Sequence, residues 1–152
     1  LCCQEILDEN FYSKREKLHL SDVKNLISLI RIQFLMTFSI ILFSTLLLIF
    51  KKKIQYLIFG YQWGSVVTIF FILFLWAVTF INFGQFFLRF HYFAFTNDFW
   101  QLPAESNLIR LFPQHFFADF ANRIAFQTII TAIVIFVISI SINSVLHKNT
   151  RK

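Results

Sequence analysis

Three runs of this chain carry no charge over the length of a membrane-crossing helix, and mixed segments separate them. The first runs from Ile32 to Phe50, close to the roughly 20 residues that cross the hydrocarbon core as a helix. Lys51-Lys52-Lys53 stops it. Ile54 to Leu88 is again free of charge and longer than one crossing requires. Gly60, Tyr61, Gln62, Trp63 and Gly64 interrupt it, predicting a loop over 51–64 and a second span over 65–85. The third span is 124–146, followed by a basic tail over 147–152. In residues 1–31, Glu16, Leu18, His19, Asp22, Val23, Leu26, Ile27 and Ile30 recur at helical spacing. This predicts an amphipathic helix approaching the membrane, with Ser21 as an alternative start of a new turn. Residues 86–123 return to mixed but aromatic-rich composition. The pattern predicts an all-α membrane protein with three transmembrane helices.

Composition supports lipid as the solvent. Hydrophobic residues make up 57% and charged residues 14%, against about 25% charge in soluble domains. The net charge of +6 does not mark a nucleic-acid binder, because the basic residues sit at the ends of apolar runs and not on one soluble face. Cys2 and Cys3 are adjacent, and no further cysteine exists to give a zinc or redox spacing.

Three spans put residues 1–31 and 86–123 on one side, and the Lys51–Lys53 loop and the tail on the other. The compact Lys51–Lys53 cluster assigns its own side to the cytoplasm. His91 follows His19 after two crossings, so both share one membrane face. His115 lies on that face too, and His147 belongs to the basic tail.

Candidate chemistry gathers at two of these histidines. Asp22 stands one helical turn beyond His19, where its carboxylate can hold the imidazole by one ring nitrogen. His91 lies in FHYFAFTNDFW, where Asn97, Asp98 and Trp100 place polar groups among phenylalanines. Such groups cost free energy unless paired or used. The plainer reading is that each histidine is an amphipathic side chain at the headgroup boundary. By the same reading the phenylalanines are packing, and Asn97-Asp98 is a turn. His115 follows Pro113-Gln114 and reads as structural. There is no nucleophile elbow, no HExxH and no phosphate-binding glycine loop.

HLSDVKNL (19–26), FHYFAFTNDFWQL (90–102) and LIRLFPQHFFADF (108–120) resemble, in order and spacing, the lipoprotein intramolecular transacylases. These are small bacterial integral membrane proteins. The resemblance covers the chain from about Tyr12 onward. It implies four spans with an extracellular helical cap, hence an apolar segment upstream of Leu1, and an active site where cap meets membrane. It further implies an acyltransferase of the cell membrane that acts on diacylated lipoproteins, with no cofactor or metal.

Carried over by position, the catalytic histidines fall on His19 and His91. Asp22, Tyr92, Asn97, Asp98, Trp100, Phe116 and Phe117 are expected to orient or bind substrate. The division of labour between the histidines stays open. Two other readings compete: a non-enzymatic assembly or accessory subunit, and a histidine-ligated haem or metal protein.

Overall fold

The structure is a computed structural model that describes residues 11–149, so the two cysteines and the end of the basic tail lie outside the described residues. The expected all-α class holds. The elements are α1 (Lys14–Phe50), α2 (Ile54–Ile81), α3 (Phe83–Ala94), α4 (Asn107–Leu111) and α5 (Gln114–Asn149). Three of them, α1, α2 and α5, are long and apolar enough to cross a membrane.

Each helix boundary has a local cause. Ser13 caps α1: its hydroxyl accepts from the Glu16 N–H at 3.3 Å, and the Glu16 carboxylate accepts from the Ser13 N–H at 2.7 Å. This reciprocal pair is a capping box. No Gly or Pro interrupts α1 between Lys14 and Phe50, and the helix runs straight through Ser21. At its far end Lys53 N–H reaches the Leu48 carbonyl and Lys52 N–H reaches Ile49, both at 2.9 Å. This is a Schellman closure with Lys52 in the left-handed region at φ 56°. A side chain there costs about 1–2 kcal/mol that glycine avoids. Lys52→Gly is therefore expected to raise the melting temperature of the detergent-solubilised protein by about 2–8 °C. A lowered melting temperature would contradict this account of the turn.

The second run departs from its expected boundaries. No turn forms at Gly60–Gly64; α2 is helical from Ile54, leaving a connection of only residues 51–53. The reason lies in the solvent. A glycine inside a helix costs about 1 kcal/mol, whereas each backbone group left unsatisfied in lipid costs several. At the other end α2 stops at Ile81, and Gln85 belongs to α3. Asn82 makes that break by accepting from the Gln85 N–H at 3.0 Å as the cap of α3. The third long helix begins at Gln114, ten residues before the expected 124, directly after Pro113. Proline cannot continue a preceding helix but is compatible with the start of a new one.

The chain forms two compact units. One comprises residues 35–81 and 121–149 among those described. Ile58, Ser65, Ala132 and Ser139 are buried there, so small residues dominate its interior, as expected where packing drives membrane-helix association. Thr45 and Tyr61 share a hydrogen bond at 3.0 Å between α1 and α2. Trp76 Nε1 donates to Asn122 at 2.9 Å between α2 and α5. The outward surface is apolar, with Phe70, Phe80 and Ile81 almost wholly uncovered, as lipid requires. The other unit comprises residues 11–34 and 82–120, and both candidate histidines lie in it.

Candidate active site

In this second unit, the first turns of α1 supply one wall. Arg15, His19 and Asp22 follow the i, i+4, i+7 spacing and form one stripe. His91 projects from α3. His19 and His91 are both buried, with ring centroids 6.0 Å apart. Phe95, the C-cap of α3, lies against both, at 5.2 Å from His19 and 5.6 Å from His91. Phe87 at 4.3 Å, Trp100 at 5.1 Å and Phe90 at 5.6 Å complete an aromatic enclosure of His91.

The two rings differ in their hydrogen bonding. His91 Nδ1 lies 2.7 Å from the Phe87 carbonyl. A carbonyl only accepts, so Nδ1 carries a hydrogen and Nε2 of the neutral ring holds the lone pair. Nδ1 of His19 is buried and has no hydrogen-bond partner among the described residues. His19 stands in the first turns of α1, ahead of the charge-free stretch. Burial pushes its pKa down, the neighbouring His91 adds to this, and the Asp22 carboxylate opposes it.

Asp22 does not hold the His19 ring by a hydrogen bond, as its spacing suggested. Its Oδ2 accepts from Asn97 Nδ2 at 2.9 Å. Asn97 Oδ1 accepts in turn from the Phe99 N–H at 3.0 Å. Arg15 donates to the Asp98 carbonyl at 2.5 Å, and the exposed Asp98 carboxylate accepts from Gln101 Nε2 at 3.3 Å. The turn over 97–101 is thus tied to α1 at two points that flank His19 on the stripe. It carries Trp100, whose ring also meets Tyr92 edge-on at 4.9 Å.

Phe117 reaches the group through Phe87 at 5.2 Å, and Phe116 packs on Phe117 at 5.4 Å. His115 is exposed and, among the described residues, contributes no ring or hydrogen bond to the group.

One model of a known family, "Lipoprotein intramolecular transacylase Lit", matches residues 4–117. The chain belongs to this family. Neither a curated protein nor a solved structure gives a match. The stretch shared with the transacylases includes His19, His91 and the turn that carries Asn97 and Trp100. Family membership gives the class of function, acyl transfer on lipoproteins, and agrees with the three apolar helices.

Sequence reasoning missed Glu16 as more than one member of an amphipathic stripe. It is the least exposed of the buried residues, at 3%. Besides capping α1, its carboxylate accepts from the Leu108 N–H at 2.8 Å, at the start of α4. Burial alone would raise its pKa; the hydrogen bonds from Leu108 and Ser13 outweigh that and lower it. The S-x-x-E pattern of Ser13 to Glu16 was the available signal. Phe95 was also missed; its i+4 spacing from His91 across a helix end was the clue. A cavity of about 780 Å³ opens beside the Glu16 contact, lined by Tyr12, Lys14, Lys17, Glu105 and Asn107, and neither histidine lines it.

Proposed function

We propose that this transacylase-family protein moves the sn-2 acyl chain of a lipoprotein's diacylglyceryl cysteine onto that cysteine's own α-amino group. The product is an N-acyl, S-monoacylglyceryl lipoprotein, the lyso form. The observation that carries this reading is the pair of buried imidazoles 6.0 Å apart inside an aromatic enclosure.

The chemistry follows from the groups. An α-amino group titrates near about 8 and must be neutral to attack. Nε2 of His91 is the acceptor for its proton, because Nδ1 is engaged by Phe87. Attack forms the N–C bond through a ring of nitrogen, Cα, Cβ, sulfur, two glyceryl carbons, the ester oxygen and the acyl carbon. Rings of that size close slowly in solution, so a site that folds the substrate supplies orientation. As the tetrahedral intermediate collapses, the C–O bond breaks and the amine's proton ends on the glyceryl oxygen. His91 hands that proton on to the departing oxygen, and His19, with an unspent Nδ1, stands beside this path to hydrogen-bond the oxyanion. Tyr92, Trp100, Phe116 and Phe117 offer apolar surface to the acyl chain and glyceryl group. We place the site at the extracellular face, with the Lys51–Lys53 turn in the cytoplasm.

The test is reconstitution with a purified diacylated lipoprotein. Intramolecular transfer leaves the intact mass unchanged but converts one ester-linked acyl chain to an amide. Mild base should then release one fatty acid per molecule where it released two before. Release of two after incubation would sink the reading and favour an accessory subunit without catalytic activity.

A further inference from the structure

Two features of the His19 surroundings call for a joint explanation. A carboxylate one helical turn away is the natural partner for a buried imidazole, and i, i+3 neighbours on a helix meet readily. Yet His19 Nδ1 is left without a hydrogen bond among the described residues, while Asp22 bonds a residue 75 positions away.

Asn97 explains both. Its side-chain oxygen is spent on the Phe99 N–H and its amide nitrogen on Asp22. The amide orientation is unambiguous, since a backbone N–H needs an acceptor and a carboxylate needs a donor. The turn that presents Asn97 is itself fixed to α1 by Arg15. We propose that Asn97 is a positioning residue that draws the Asp22 carboxylate away from the His19 ring, leaving Nδ1 of His19 uncommitted to any protein group. The proposal rests on the reading of His19 as a catalytic group.

Without Asn97, Asp22 would turn to His19, occupy Nδ1 and favour the imidazolium. The remaining charged or titratable neighbours are otherwise engaged. Glu16 accepts from Ser13 and Leu108, Arg15 donates to the Asp98 carbonyl, and the Asp98 carboxylate is exposed and bonded to Gln101. From α3 the facing titratable group is His91, and the facing ring is Phe95 at its C-cap. Asp22 is therefore the one carboxylate among these groups whose partner is lost with the Asn97 amide.

Asn97→Ser separates the two jobs of the amide. A serine hydroxyl can still accept from the Phe99 N–H, as Ser does in such turns, but it is too short to reach Asp22. The experiment is an NMR titration of ring-labelled histidine in the detergent-solubilised full chain, with Asn97→Ser, Asp22→Asn and the double variant. Asn97→Ser is expected to raise the His19 pKa by about one unit, the lower end of the shift caused by a directly paired opposite charge. Asp22→Asn is expected to lower it, and the double variant to follow Asp22→Asn.

In proteoliposomes the acid limb of the pH–rate profile should move in the same directions. A purely structural role for Asn97 would leave the titration in place and make the double variant no better than Asn97→Ser. That outcome, or shifts of the same sign in both single variants, overturns the proposal. If Asn97→Ser fails to fold, Asp22→Asn still decides, because an unmoved His19 titration contradicts it. Failure of the catalytic reading looks different: the titrations would shift as stated while even the unsubstituted protein formed no amide-linked acyl chain.

Discussion

His19→Ala and His91→Ala are each expected to reduce formation of amide-linked acyl lipoprotein by at least about 100-fold, the lower end of what a positioned acid or base contributes. The loss should be larger for His91, whose Nδ1 is already committed to the Phe87 carbonyl and whose Nε2 would, on the proposed reading, accept the amine's proton. His115→Ala serves as the contrast. That residue shares the family-matched stretch but is exposed and stands outside the ring cluster, so conversion should stay within about twofold of the parent, a surface substitution being close to neutral. Counting base-labile fatty acids on a reporter lipoprotein reads all three. Full conversion by both alanine variants would remove these histidines from the mechanism.

The second large effect is on stability. Glu16→Ala should destabilise the fold by about 3 kcal/mol, since it strands the buried Leu108 N–H and removes half of the α1 capping box. Glu16→Gln is expected to fall between the parent and alanine. Both carboxylate oxygens accept from backbone N–H groups, so an amide must turn one N–H₂ toward a donor. The same contact gives a direction in acid. The folded carboxyl ionises below its ordinary value, so the contact stabilises the protein fully at neutral pH. Its contribution fades as pH falls below the usual carboxylate range. Thermal unfolding in detergent at neutral and acid pH measures both effects. A melting temperature unchanged by Glu16→Ala would refute the role given to this residue.

The spans were legible because lipid imposes a one-dimensional rule: charge is absent for a membrane's thickness and returns at its edges. That rule locates Phe50 and Lys51 well, since the break coincides with a charge cluster. It fails at Gly60–Gly64, where glycine's turn signal from water-soluble proteins was applied to a segment that cannot leave its hydrogen bonds unmade. The helix break at Asn82 carried only a capping signal, Asn82 three residues before Gln85, inside an otherwise uncharged run.

For the site, helical spacing and the count of crossings brought His19 and His91 to one face, and family resemblance supplied the chemistry. The partner of Asp22 was not readable. Spacing along α1 favours His19, and only the folded turn offers Asn97 as a competitor. The second role of Glu16 was not readable, because an acidic residue within an amphipathic stripe resembles surface charge until its second partner, 92 positions away, is in place.

The rings around His91 bear on a choice every acyl-transfer enzyme faces. An activated ester can pass to an amine or be lost to water, and only the first outcome keeps the lipoprotein's acyl chains. Phe87, Phe90, Phe95 and Trp100 surround the imidazole that would accept the attacking group's proton, and leave it 9% exposed. The less water reaches this base, the less of it the base can activate. On the proposed reading, the phenylalanines that looked like ordinary membrane packing determine whether the protein is a transferase or a hydrolase. Opening that wall at Trp100 would be seen as free fatty acid.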